Sequence, residues 1–278
     1  VAVVGLEGGG AGAVEKRGDF AAGAAKGQGV RGSGAVVGFL LAVFGGGGSV
    51  LAAPVLLYLG GVTDAHVAIG TASAAVAANA AFNLIGHWRG GRIKWPCATV
   101  FAIAGLIGSL AGSSIAKLVS GEHLLLAFAG AMAAIGLSML RKPKVEGNPN
   151  VHLDMKMVMR LAPLGLLTGL AAGFFGIGGG FLIVPGLMLA SGMTMANATA
   201  SSLLSVALFG AATSANYALS GQVDWPLAGL LLLGGAAGGL AGLLAAKRLA
   251  THASLARMLF AGLILVVAAY VAWRSVGG

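Results

Sequence analysis

Long apolar stretches separated by short polar ones set the pattern of this chain. Residues 96–116, 124–140, 203–219, 227–246 and 258–273 approach or reach the roughly 20 residues a helix needs to cross a bilayer. None of these runs alternates with period two, so they predict helices and not the strands of a transmembrane barrel. Two further apolar elements, 34–59 and 165–190, are each interrupted by glycine. The pattern predicts an all-α polytopic membrane protein.

The two interruptions are one phrase written twice. Phe44-Gly45-Gly46-Gly47-Gly48-Ser49 leads to Pro54, and Phe175-Gly176-Ile177-Gly178-Gly179-Gly180 leads to Pro185, with the second phrase 131 residues after the first. The correspondence continues beyond the glycines. Thr63 pairs with Thr194 and Gly70-Thr71 with Ser201-Ser202 at the same offset. After one residue of slippage, Lys94-Trp95-Pro96 pairs with Asp224-Trp225-Pro226, Gly105, Gly108 and Gly112 with Gly235, Gly238 and Gly242, and Lys117 with Lys247. Two related halves follow, 33–140 and 164–274, joined by a polar linker over 141–163 and preceded by a Gly/Ala-rich tail, 1–32, that is expected to be disordered. Each half holds one broken element and three continuous helices.

Composition agrees with a membrane protein. Of 278 residues 58% are hydrophobic and 9% charged, with mean hydropathy +0.93, against about 25% charged residues in soluble domains. The 49 glycines suit helices that approach closely in lipid. The net charge of +9 is read as positive-inside loops, because no basic face with interleaved aromatics signals nucleic acid.

Loop charge also predicts how the halves are oriented. The loop after the second element carries Arg89, Arg92 and Lys94 in the first half, and only Asp224 in the second. The next loop reverses the bias, with Lys117 and Glu122 against Lys247, Arg248 and Arg257. Equivalent loops of opposite bias belong on opposite faces, which requires an odd number of crossings per half. The reading is two inverted repeats, each a re-entrant broken helix plus three transmembrane helices. A kinked, eight-span arrangement is the alternative. The basic face, with the linker, would be cytoplasmic.

In lipid a broken helix is costly unless its freed backbone groups find partners. The N–H groups of Gly46, Gly47, Gly48 and Ser49, and of Gly178, Gly179 and Gly180, would open the second arm of each hairpin at the positive end of a helix dipole. Glycine lets a ligand approach the backbone, so the arrangement describes an anion site. Pro54 and Pro185 take a structural role, keeping the preceding backbone out of regular helix. Tight packing is the competing explanation for the breaks, and it is the preferred one for Gly105, Gly108, Gly112 and their partners.

Asn79, Asn83 and His87 share one helix face at i, i+4 and i+8. The corresponding second-half helix offers Ser201, Ser202, Ser205, Thr213, Ser214 and Asn216. Uncharged donors such as Thr71, Asn83, Ser202 and Ser214 suit a small oxyanion, while interhelical hydrogen bonding is the alternative for Asn79 and Asn83. His87 and Asn79 are weak candidates for coupling. Asp64, Glu122 and Asp224 fall at helix ends, so a buried carboxylate relay is not expected. Cys97 is the only cysteine, and no Ser-His-Asp, His-Glu-x-x-His or phosphate-loop pattern occurs, so neither an enzyme nor a cofactor or metal site is expected.

The duplicated Phe-Gly-x-Gly-Gly-Gly-x-x-x-x-Pro, followed by Gly-Thr-x-Ser or Ser-Ser-Leu and a Gly-x-(Val/Ile)-x-Trp-Pro turn, resembles the TauE/SafE group over about residues 33–274. The first copy departs from the pattern at Gly45-Gly46-Gly47-Gly48-Ser49. The resemblance implies a multi-pass permease or exporter in the bacterial inner membrane, moving sulfite, sulfonates or related organic anions. A homo-oligomer is compatible with it. An anion channel and a non-transporting membrane scaffold or assembly factor are the alternatives.

Overall fold

The structure, a computed structural model, describes residues 32, 34–43, 49–58, 61–140, 147, 148, 151–176, 180–249 and 253–277. Most of the tail, part of the linker and the glycines 45–48, 178 and 179 lie outside the described residues. The described chain forms α1 (Gly34–Val43), α2 (Ala52–Tyr58), α3 (Ala65–Trp88), α4 (Trp95–Ala116) and α5 (Gly121–Leu140). The second half follows with α6 (Met155–Phe175), α7 (Gly180–Ser191), α8 (Met195–Ala218), α9 (Trp225–Leu249) and α10 (Ala253–Gly277). A 3₁₀ turn over 49–51 leads into α2. Among the described residues there is no strand beyond an isolated bridge between Asn148 and Met193.

Local chemistry explains where these helices start. Asp64 caps α3 by accepting from the His66 and Val67 N–H groups at 2.7 and 3.4 Å. Asp154 caps α6 through the Met157 N–H at 2.7 Å, and Thr194 caps α8 through Asn197 N–H at 3.4 Å. Pro96 and Pro226 stand second in α4 and α9, where a missing N–H costs nothing.

Among the described residues, six helices, α3, α4, α5, α6, α8 and α9, are long and apolar enough to cross a bilayer. Their outward faces carry large exposed apolar side chains, among them Ile103, Ile107 and Leu110 of α4 and Leu233, Leu240 and Leu244 of α9. In water such a belt would aggregate, whereas in lipid it is the solvated surface. Exposed Trp88 and Trp95, stacked edge to face at 5.7 Å, mark one end of the belt, with Trp225 and Trp273 near the other.

One element differs from its sequence expectation. α6 begins at Met155, within the stretch read as linker, so the first arm of the second broken element has 21 residues and is itself long enough to span. Lys156 and Arg160 interrupt the apolar run in sequence. Both are exposed in the first turns of the helix, which can carry them at an interface without ending.

Glycine stripes dictate the helix pairing. Gly165, Gly169 and Gly173 of α6 lie against Phe101, Gly105 and Ser109 of α4, and Gly112 of α4 lies against Leu170 and Phe174. In the other half, Gly34 and Gly38 of α1 lie against Leu231 and Gly235 of α9, and Gly238 and Gly242 against Ala35 and Phe39. The two interfaces are equivalent, and each joins one half to the other. The packing role read for Gly105, Gly108, Gly112 and their partners Gly235, Gly238 and Gly242 is what the structure shows.

α3 and α8 are the most buried helices and form the central pair. They run antiparallel, with Gly70 against Tyr217 and Gly210 against Ser73 and Ala77. α4 runs parallel to α8: the Lys94 N–H donates to Ser201 Oγ at 3.0 Å near one end, and Lys117 Nζ reaches Asn216 Oδ1 at 2.7 Å near the other. α9 runs parallel to α3, with Gly235 and Gly239 against Asn79 and Asn83. Arg89, Arg92, Lys94, Lys156 and Arg160 therefore share one end of the bundle, and Asp64, Lys117, Glu122, Asp224 and Arg274 the other.

Candidate functional site

The second break begins at a defined point. Gly176 ends α6 in the left-handed conformation, φ +64°, and a side chain there would run into Ile69 of α3. Both facts require glycine. The Gly176 carbonyl accepts a 2.6 Å hydrogen bond from Ser73 Oγ of α3, so a buried backbone group freed by the helix end is satisfied by the central helix. Gly180 then opens α7. Ser49 is buried at the start of the matching turn before α2. Pro54 is the third residue of α2 and Pro185 the sixth of α7, each shortly after its break.

The flanks of the two breaks pack into one hydrophobic cluster. Val43 and Val50 border the first break, Phe175 and Leu182 the second. All four pack in one cluster with Phe128, Ala129 and Met132 of α5 and Ile264, Ala268 and Val271 of α10. The Phe175 and Phe128 rings lie 5.9 Å apart. The equivalent helices α5 and α10 thus form a shared floor on which both return arms begin.

Asn79, Asn83 and His87 are buried on one face of α3. The first two lie on Gly235 and Gly239 of α9, and His87 Nε2 is 3.3 Å from the Ala42 carbonyl in the last turn of α1, just before the first break. Asn83 donates from Nδ2 to the Asn79 carbonyl at 2.9 Å within the helix. At an offset of 130, the equivalent face of α8 is Phe209, Thr213 and Tyr217. Phe209 packs on Gly105, the counterpart of Gly235. The sequence reading did not include Tyr217. Aligning the central helices at 130 instead of 131, as the Trp-Pro turns already demand, sets it opposite His87.

The remaining candidates lie elsewhere. Thr71 Oγ1 accepts from the Asp224 N–H at 2.9 Å, holding the turn into α9 against α3. Ser201 does the same for Lys94 and the turn into α4, while Ser202 Oγ donates to the Thr199 carbonyl at 2.8 Å within α8. Ser214 is buried on α8. Thr71 and Ser202 thus sit toward opposite ends of the bundle. Among the described residues, the buried polar side chains are Ser, Thr, Asn and His, joined by the hydroxyl of Tyr217, and no cluster of metal-binding side chains occurs.

The sulfite exporter TauE/SafE family model matches residues 31–271. A "Probable membrane transporter protein" of Xylella fastidiosa strain 9a5c is 48% identical over 245 residues, covering 88% of this chain and 94% of the relative. A Bacillus subtilis relative, "Probable membrane transporter protein YunE", is 26% identical over 230 residues, covering 75% and 84% respectively. No solved structure matches the chain. The duplicated glycine breaks, the apolar helices and these relatives lead to one conclusion: the chain belongs to the TauE/SafE family of multi-pass membrane transporter proteins.

Proposed function

We propose that this protein is a secondary transporter of small anions, with sulfite and sulfonates as the first candidates. The observation that carries the reading is the packing of Val50 and Leu182, at the starts of the two return arms, in one cluster with α5 and α10. It supports a single site served by backbone N–H groups around Gly46–Ser49 and Gly178–Gly180, with Asn83 and Ser214 along the path, while Thr71 fastens the turn into α9 and Ser202 bonds within α8. Positive helix ends meeting from two repeats suit an anion. The lack of a buried Lys or Arg among the described residues suits one that must also be released. The family description supports a sulfur oxyanion.

Purified protein in proteoliposomes should show saturable flux of sulfite or a sulfonate in a panel that includes sulfate, acetate and chloride. Flux that never saturates would favour a channel. No flux of any anion by correctly folded protein would overturn the transport reading.

We further infer inverted repeats in the bacterial cytoplasmic membrane, with the Arg89–Lys94 end inside. The antiparallel run of α3 and α8 and the one-sided distribution of arginine and lysine support this topology. Arg89 and Leu219 end equivalent helices and both are exposed, while native Cys97 is buried. Cysteines introduced at 89 and 219 are expected to label from opposite sides of the membrane. Labelling from the same side would exclude inversion.

A further inference from the structure

Among the described residues, six buried side-chain oxygens have no hydrogen-bond partner: Asn79 Oδ1, Asn83 Oδ1, Ser205 Oγ, Thr213 Oγ1, Tyr217 OH and Gln222 Oε1. Five of the six fall on the two equivalent faces of α3 and α8. Random packing imperfections would scatter, and buried polar groups without partners are rare because each forfeits its hydration. The concentration of five on these faces indicates groups reserved for a ligand.

The two faces differ chemically. On α3, one N–H of the Asn83 amide donates to the Asn79 carbonyl, which sets Oδ1 as the unpartnered acceptor. Turning the amide over would set oxygen against oxygen. At Asn83 an anion can be met only by the second amide N–H and not by the unpartnered oxygen. On α8, Thr213 and Tyr217 are fully buried hydroxyls one turn apart, and a hydroxyl can donate.

Their height along the bundle matches the end of α6. Tyr217 packs on Gly70 of α3, and Gly176 packs on the adjacent Ile69. α4 supplies a second measure of depth: Gly112 lies against Phe174, and the next residue, Ser113, accepts from Asn216 Nδ2 at 2.7 Å. The end of α6 and the Thr213–Tyr217 turn of α8 are therefore level. Lys117 Nζ is 6.0 Å from the centroid of the Tyr217 ring and is already held by Asn216 and Ser220, and the His66 ring centroid lies 6.2 Å from that of Tyr217.

We propose that Thr213 and Tyr217 are the side-chain donors that grip the transported oxyanion, so recognition is asymmetric and belongs to the second repeat. This assignment rests on the transport reading above. It implies selectivity for anions with oxygens free to accept two hydroxyl hydrogens, such as sulfite or a sulfonate, over chloride, which presents a single sphere.

The test compares wild type, Thr213→Val and Tyr217→Phe in proteoliposomes, with sulfite and methanesulfonate as substrates and chloride as competitor. Each variant removes one hydroxyl with little change of shape. Each should raise the half-saturation concentration roughly tenfold or more, the usual cost of one hydrogen bond to a charged group. Thr213→Ser, which keeps the hydroxyl, should restore it.

Thermal midpoints of the ligand-free variants should equal or exceed that of wild type, because an unpartnered buried hydroxyl is removed. The upward shift that sulfite produces in wild type should shrink. Unchanged half-saturation in both variants, with wild-type flux intact, would overturn the hydroxyl assignment alone. Wild-type protein inert toward every anion would overturn the transport reading and this assignment with it.

Discussion

Leucine in place of Gly179 is expected to abolish anion flux while the protein remains in the membrane at wild-type level, and Gly47→Leu is expected to do the same from the other repeat. Two effects add. An isobutyl group occupies the space in which an anion must approach the backbone, and it restricts the conformations by which successive N–H groups can turn toward one point. Each charge-assisted hydrogen bond lost weakens binding by about tenfold or more, so loss of two or three leaves flux below about 1% of wild type. Surface abundance and the thermal midpoint should change little. The proline marking each return arm is untouched, and the flanking Val43, Val50, Phe175 and Leu182 keep their cluster. Full flux in both variants would dismiss the breaks as the binding site and leave them a packing role.

The second large effect concerns assembly. Gly169→Ala and its counterpart Gly38→Ala should each destabilise the protein by about 1–3 kcal/mol or more. A Cβ at Gly169 would collide with the backbone of Gly105, and one at Gly38 with the backbone of Gly235. Backbone cannot rotate away as a side chain can, so the helices must separate along the whole stripe and forfeit contacts over several turns. Gly130→Ala and Gly262→Ala provide the comparison. Both positions are helical and open, with nothing within 4 Å of an added Cβ, and alanine there should be neutral or add up to about 1 kcal/mol. Thermal midpoints in detergent would read the difference. Equal midpoints for all four would refute the close-approach role of the stripe.

Much of the architecture was legible because lipid imposes strict rules. Apolar length announced the spanning helices, and the repeated Phe-to-Pro phrase announced two halves. Gly105, Gly108 and Gly112 could be assigned to packing because small residues at helical spacing do little else in lipid. The start of α6 was not legible. Lys156 and Arg160 resemble a linker by composition, and only their exposed placement lets the helix run through them. Tyr217 escaped notice because a buried hydroxyl looks like an ordinary aromatic core residue in sequence.

The sequence alone determined the helical membrane class, the duplication, the placement of the breaks and the opposing charge of equivalent loops. These properties depend on the order and chemistry of neighbouring residues. The tertiary structure decided which half packs on which, since the glycine stripes of one half find their partners in the other. It also decided that Thr71 and Ser201 fasten loops, and that one amide N–H of Asn83 is used within its own helix. Hydrogen-bond commitment depends on what stands opposite a side chain. For α3 and α8 that neighbour lies more than a hundred residues away in the chain, and only folding brings it there.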